Sequence, residues 1–103
     1  MSNTSVSWLS YEFGVYTPQT TWSERSGIYI FTGLNQNRLW VALYIGQALS
    51  FKDRLANHDQ WNQAARLGAT HVHATVVALQ ADRSAIEEQS IRAYQPRLNT
   101  QLK

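Results

Sequence analysis

The fold of this chain is decided by the stretch Tyr44-Ile-Gly-Gln-Ala-Leu-Ser-Phe-Lys-Asp-Arg-Leu-Ala-Asn-His58. The pattern is typical of a strand end, a glycine turn at Gly46 and the start of a helix capped by Ser50. Arg54 and His58 are four residues apart, so a helix would place them on one face with Ser50. The spacing predicts a polar stripe able to contact a phosphate group; the alternative is an ordinary solvated helix face.

Composition limits the classes of function that the chain can have. Its 103 residues, 44% of them hydrophobic, predict one small globular domain with its own core. The absence of cysteine excludes a thiol nucleophile, a disulfide and a cysteine-based zinc site. The sequence has no membrane-spanning apolar run and no secretory signal, so we expect a cytoplasmic protein. A net charge of +2 supports a nucleic-acid partner only weakly.

Three strands are predicted around this stretch. Segments 28–32 and 39–45 are rich in β-branched and aromatic residues, and a turn at 36–37 would place Tyr29 directly opposite Tyr44. Two facing phenols could share a ligand or simply pack. In the third strand, 71–79, His71 and His73 share a face; we expect them to face solvent, with a metal-binding pair as the alternative. The arm 1–25 is predicted to be partly extended, with one possible edge strand, ahead of a domain at 26–103.

Two further helices are predicted, at about 60–66 and at about 82–94, where Pro96 stops the second one. On the second helix, Glu88 faces outward toward Arg92, whereas Glu87 falls in a mostly apolar arc. A carboxylate in such an arc needs a partner, because burying an unpaired charge is costly. A divalent cation would serve; the alternative is a capping box with Ser84, in which Glu87 bonds back to a backbone amide.

These residues carry a family resemblance. Gly27-Ile28-Tyr29 and Tyr44-Ile45-Gly46 resemble the two triplets of the GIY-YIG nuclease superfamily, in the family's order. The positions of Arg54, His58, Glu87 and the closing Pro96-Arg-Leu-Asn99 continue the resemblance, which covers 27–99. It implies an α+β fold with a small three-stranded antiparallel sheet flanked by helices.

The resemblance also implies a metal-dependent endonuclease that hydrolyses phosphodiester bonds in nucleic acid. Glu87 would bind one divalent ion, Mg²⁺ or Mn²⁺, and Tyr29 would act as general base or proton relay. The other roles implied are orientation of water or phosphate by Tyr44, transition-state stabilisation by Arg54, proton transfer or phosphate binding by His58, and support of the site by Gly46, Gln47 and Asn99. Many relatives have lysine where this chain has Gln47, so Lys52 is a candidate replacement cation.

The short chain leaves no room for an added DNA-binding element, and its charge is low. We therefore expect a preference for single-stranded or branched DNA, with Trp40, Trp61 or Trp22 as base-stacking platforms. A nucleic-acid-binding module with weak or no activity is the alternative, favoured by Gln47. A third possibility is a structural domain whose apolar arm pairs with another chain.

Overall fold

A five-stranded antiparallel sheet, with helices on both faces, forms the framework of the computed structural model, which describes residues 4–101. The elements in chain order are β1 (Ser5–Trp8), β2 (Tyr11–Tyr16), β3 (Gly27–Leu34), β4 (Trp40–Ala48), α1 (Phe51–Leu55), α2 (Trp61–Arg66), β5 (His71–Val76), α3 (Gln80–Tyr94) and α4 (Arg97–Gln101). The strand order is β1-β2-β5-β3-β4, so β4 is an outer strand. Within residues 4–101, no helix has both the length and the apolar character needed to cross a membrane.

The prediction of an α+β fold is confirmed, but the prediction of a three-stranded sheet is wrong. The N-terminal segment adds a complete hairpin, β1 and β2, instead of the single edge strand that was considered possible. Its turn residues Leu9 and Ser10 both have left-handed φ angles, of 51° and 71°, without the glycine or asparagine that usually marks such a turn. The hairpin pairs β2 with β5, so it covers a strand edge that the three-strand arrangement would leave open.

The central hairpin of β3 and β4 has a different register from the predicted one. Asn35, whose side-chain oxygen accepts two backbone N–H groups of the turn, closes the loop back onto Leu39. A bulge at Leu43 then shifts the register, so Tyr29 pairs with Gly46 and Tyr44 pairs with Phe31. The prediction that Tyr29 lies directly opposite Tyr44 is therefore wrong. The two phenol rings still share a face as diagonal neighbours, with centroids 6.3 Å apart.

Alternating residues of β3 divide the core into two layers. One layer lies under α1, α2 and α4 and is built from Tyr29, Phe31, Leu43, Ala48, Phe51, Ala64, Ala69, Val72, Ala74 and Leu98. The other lies under α3 and is built from Trp8, Phe13, Ile28, Ile30, Ala42, Ile45 and Ile86. After the bulge, Tyr44 and Ala48 point toward α1 and Ile45 points toward α3. Before the bulge the alternation is reversed, so the even-numbered Ala42 points toward α3.

The short helices depart from the predicted pattern where the site is formed. Ser50 caps α1 as predicted, since its hydroxyl accepts the N–H of Asp53 at 3.3 Å. The helix ends at Leu55, so His58 lies in the following loop and is 7% exposed, not on a solvated helical stripe. The helix α3 begins at Gln80, which places Ser84 inside it and rules out the capping-box reading.

The histidines of β5 were expected to face solvent, and for His73 this is wrong. His73 is fully buried, its Nδ1 accepts the indole N–H of Trp8 at 3.0 Å, and Trp40 packs edge-on against it. The cause is the β1–β2 hairpin, which brings Trp8 over this face of the sheet. Among residues 4–101 no group of three or more histidine and acidic side chains could hold a metal ion, so the His71–His73 pair gains no third ligand.

Candidate active site

A buried tyrosine hydroxyl lies at the centre of the site. The Tyr29 hydroxyl oxygen is 2.6 Å from Nε2 of His58, and Nε of Arg54 donates to the same oxygen at 3.3 Å. The backbone N–H of Gln60 donates to Nδ1 of His58 at 3.0 Å, so this nitrogen is an acceptor. A neutral His58 therefore carries its proton on Nε2 and donates it to Tyr29.

The protonation states follow from burial. Burial lowers the pKa of His58 to about 4, with a smaller contribution from the charge of Arg54. The carboxylate of Asp59, 3.6 Å from Nδ1, acts in the opposite direction, but it is exposed and burial outweighs it. Burial also raises the pKa of Tyr29 well above its ordinary value, although the hydrogen bond from Arg54 opposes this. At neutral pH the site holds a phenol, an imidazole and a guanidinium.

Two N–H donors on one phenol oxygen leave a specific direction for the phenol hydrogen. The lone pairs of Tyr29 are used by His58 and Arg54, so its O–H hydrogen points away from both. Neither of these two contacts therefore uses the phenol hydrogen. The contact with Tyr29 also keeps Arg54 charged, since hydrogen bonding to Tyr29 raises the pKa of Arg54 and outweighs the opposite effect of partial burial.

The second triplet shapes the space around this hydroxyl. The Tyr29 side chain lies directly over Gly46, and a Cβ at that position would clash with the hydroxyl and the ring. Tyr44 is half-buried and its ring is 5.4 Å from that of His58. Asn99 holds Ile45, the residue between Tyr44 and Gly46, because its side-chain amide accepts the N–H of Ile45 at 2.8 Å and donates to the C=O of Ile45 at 2.9 Å. The support predicted for Asn99 thus has a defined geometry.

The carboxylate of Glu87 is brought to the same strand by α3. Glu87 is half-buried, and its Oε1 accepts the side-chain N–H of Gln47 at 2.7 Å. Gln47 directly follows Gly46, so this carboxylate lies beside the part of β4 that underlies Tyr29. The charge of Glu87 contributes to the raised pKa of Tyr29. Glu88 points outward and pairs with Arg92 at 3.4 Å, as predicted.

The donor set around Glu87 fits a magnesium ion that keeps most of its water. The carboxylate accepts one hydrogen bond from the neutral amide of Gln47, and its remaining lone pairs can bind a cation. Mg²⁺ is commonly bound through one or two carboxylates with several waters retained. A single protein carboxylate is consistent with the described residues, none of which form a cluster of three acidic or histidine ligands.

The other predicted substrate contacts are not all brought to the site. Lys52 is exposed and pairs with Glu24 at 3.8 Å, so its ammonium already has a partner away from Glu87. Trp40 packs against His73 in the layer under α3, on the other side of the sheet from Tyr29. Trp61 does lie near the site: together with Trp22 and His58 it lines a pocket of about 170 Å³.

Two further polar residues near Glu87 were missed in the sequence. Gln80 donates to Oε1 of Gln47 at 2.9 Å, and Arg83 donates to Oε1 of Gln80 at 2.9 Å. Their spacing could have indicated this cluster, since positions 80, 83 and 87 lie on one face of a helix. The predicted helix began at about residue 82, so it left out Gln80.

Neither a protein-family model nor a curated protein sequence matches the chain. Solved structures do match. The GIY-YIG N-terminal endonuclease domain of UvrC from Thermotoga maritima, bound to magnesium as its catalytic divalent cation, shares 26% identity with a TM-score of 0.59, over 73% of this chain and 83% of that domain. A point mutant of the same domain, also bound to its catalytic divalent cation, shares 28% identity with a TM-score of 0.57, over 73% of this chain and 82% of that one. The chain therefore has a GIY-YIG nuclease-like fold, as its two triplets predict.

Proposed function

We propose that the chain is a divalent-metal-dependent endonuclease that hydrolyses phosphodiester bonds in DNA. One observation carries this proposal: the hydroxyl of Tyr29 receives N–H donors from His58 and Arg54 beside the strand that also holds the carboxylate of Glu87. The similar UvrC domain is an endonuclease with a catalytic divalent cation, which supports the same class of reaction here.

In this proposal Tyr29 is the general base. Hydrogen bonds from His58 and Arg54 stabilise a phenolate more than a phenol, so they favour loss of the phenol hydrogen, which points away from both donors. The phenol gives up this proton to hydroxide from the solvent, and the phenolate oxygen then accepts a proton from the attacking water at the same position. The water oxygen bonds to phosphorus, the P–O bond to the leaving ester oxygen breaks, and that oxygen takes a proton from the solvent. Because the resting group is a neutral phenol, we expect the cleavage rate to rise with pH above neutrality.

The remaining groups act on the phosphate. The guanidinium of Arg54 stays charged and can stabilise the negative charge that develops on the phosphate oxygens. Tyr44 lies on the same face as Tyr29 and can orient the phosphate or the water. A divalent cation bound by Glu87 would supply Lewis-acid stabilisation of the same charge.

The proposed substrate is single-stranded or branched DNA. Its support is the pocket lined by Trp22 and Trp61 next to His58, whose volume of about 170 Å³ can accept a base that has left its stack. A base in an intact duplex cannot reach such a pocket without unpairing. With a net charge of only +2, the chain also has little excess positive charge with which to hold a duplex backbone.

The test is cleavage of labelled single-stranded, forked and duplex DNA in Mg²⁺, in Mn²⁺ and in chelator. We expect Glu87→Ala to lower the rate at least about a hundredfold, the order seen when one charge-stabilising group is removed from a site. Glu88→Ala is the matched control and should cut like the wild type, because Glu88 is an exposed neighbour. Equal losses in both variants, or equal cutting of duplex and single strand, would refute the site or the substrate preference respectively.

A binding module with weak or no activity is the second candidate, and Gln47 is the observation that favours it. At this position many relatives have lysine, whereas the Gln47 amide adds no charge and occupies one oxygen of Glu87. This candidate predicts salt-sensitive DNA binding with no cleavage in either metal. Gln47→Lys would then be the variant expected to gain activity.

A further inference from the structure

A chain of hydrogen bonds connects the end of β5 to Glu87. Arg83 is 3% exposed and its NH1 donates to the carbonyls of Val77 at 3.0 Å and Ala78 at 2.8 Å. Its NH2 donates to Oε1 of Gln80 at 2.9 Å. From there Gln80 donates to Oε1 of Gln47 at 2.9 Å, and Gln47 donates to Oε1 of Glu87 at 2.7 Å. The backbone of the β5–α3 connection thus reaches the carboxylate through three side chains.

The direction of this chain is fixed at both ends. An arginine has only donors, so it must face the carbonyl oxygen of the Gln80 amide. The NH₂ of Gln80 is then turned toward Gln47, where it can meet only an oxygen, and this turns the NH₂ of Gln47 toward Glu87. A carboxylate has only acceptors, so the last link has the same direction. Both amide orientations follow from the pattern of donors and acceptors.

Without Gln80 only the carboxylate of Glu87 would hold the Gln47 amide, because the contact to its Oε1 would be lost. The amide could then turn away into solvent. Glu87 would in that case lose the contact that orients its carboxylate beside Gly46. A neutral donor also leaves the charge of Glu87 available to a cation, which a neighbouring ammonium would partly neutralise.

We propose that Gln80, anchored by Arg83, is a positioning residue that orients the Gln47 amide and through it the carboxylate of Glu87 for a divalent cation. This inference rests on the proposed function, in which Glu87 is the metal ligand. Groups that orient a metal ligand in this way commonly affect metal affinity as well as activity.

The experiment measures Mn²⁺ affinity by titration calorimetry in the absence of DNA, with the metal alone as the probe. The variants are Gln80→Ala, Gln47→Ala and the double variant, and the control is Gln89→Ala, an exposed glutamine on the same helix. Gln80 is exposed, so its replacement leaves the core unchanged, and thermal unfolding without metal checks this. Glu87→Ala reports whether the metal site itself is where we place it.

We expect Gln80→Ala to weaken Mn²⁺ binding by about threefold to tenfold, as for the loss of one neutral hydrogen bond, and Gln89→Ala to have no effect. In the Gln47→Ala background the same change should have little further effect, because the link it acts through is gone. An equal effect in both backgrounds, or none in the wild-type background while Glu87→Ala abolishes binding, would overturn the positioning role alone. Unchanged binding in Glu87→Ala would overturn the proposed metal site, and the positioning role with it.

Discussion

Replacement of Asn99 by alanine tests the support that holds the second triplet in place. The amide of Asn99 bonds to both backbone groups of Ile45, the N–H at 2.8 Å and the C=O at 2.9 Å. Because β4 is an outer strand, these groups have no partner strand on that side among residues 4–101. Alanine removes the acceptor and the donor together.

The expected magnitude follows from these two bonds. A hydrogen bond contributes a net ~1 kcal/mol to stability, so the loss of two should lower the free energy of unfolding by about 2 kcal/mol. For a domain of this size, each kcal/mol shifts the Tm by about 4–8 °C, which gives a Tm lower by about 8–16 °C. Asn99→Asp should be at least as unstable near neutral pH, because a carboxylate can accept the N–H of Ile45 but repels its carbonyl oxygen.

The assay is urea and thermal unfolding of the wild type, the two Asn99 variants and Asn62→Ala. Asn62 is an exposed asparagine in α2, so it controls for the residue change itself. Amide hydrogen exchange adds a local measurement, since the N–H of Ile45 should lose protection in Asn99→Ala while residues in the middle of β3 keep theirs. Loss of less than about 0.5 kcal/mol in both Asn99 variants, with Ile45 still protected, would refute this reasoning.

Three further predictions concern other parts of the molecule. Gly46→Ala should cost about 1–3 kcal/mol and strongly reduce DNA cleavage, because the new Cβ displaces the Tyr29 hydroxyl; unfolding and cleavage assays measure the two effects. Stability should be full above about pH 6.5 and fall toward pH 4, because burial lowers the pKa of His58 and of His73 to about 4 and the unfolded chain takes up protons first; urea unfolding across this range checks the sign. Lys52→Ala should change the unfolding free energy by less than about 1 kcal/mol, since its ion pair is exposed.

The sequence predicts best the residues whose positions depend on short-range pattern. The strand of Tyr29, the cap at Ser50 and the separation of Glu87 from Glu88 all follow from spacing within one element. The fold class follows from the two triplets. These features depend on few residues, so tertiary context does not overturn them.

The parts that sequence could not predict depend on long-range contacts or on element length. His58 is buried because α1 stops after Leu55 and the loop turns the imidazole toward Tyr29, whereas a continued helix would expose it. The capping-box alternative for Glu87 failed because α3 starts earlier than Asp82. Helix boundaries are the least predictable part of a secondary structure, and two of them affect this site: the end of α1 at Leu55 and the start of α3 at Gln80.

The N-terminal hairpin shows the same limit in the sheet. Its turn at Leu9 and Ser10 lacks the residues that signal a tight turn, and its pairing partner, β5, is far away in the sequence. The burial of His73 depends on this pairing, since Trp8 of the hairpin supplies its hydrogen bond. His73 was therefore predicted to face solvent because the β1–β2 hairpin, which covers it, was not predicted.

The two halves of the candidate site come from opposite faces of the sheet, and both contact residues of the outer strand β4. Arg54 and His58 approach from the face covered by α1, whereas Glu87 comes from α3 on the other face. They meet at β4 because Gly46 leaves space for the hydroxyl of Tyr29 and the next residue, Gln47, turns to the α3 side. A one-residue slip of β4 would exchange the faces of Gly46 and Gln47, so that Gln47 would turn away from Glu87 and the hydroxyl of Tyr29 would lose the space that Gly46 leaves. The bulge in β4 and the Asn99 contact therefore act on the site through the register of this one strand.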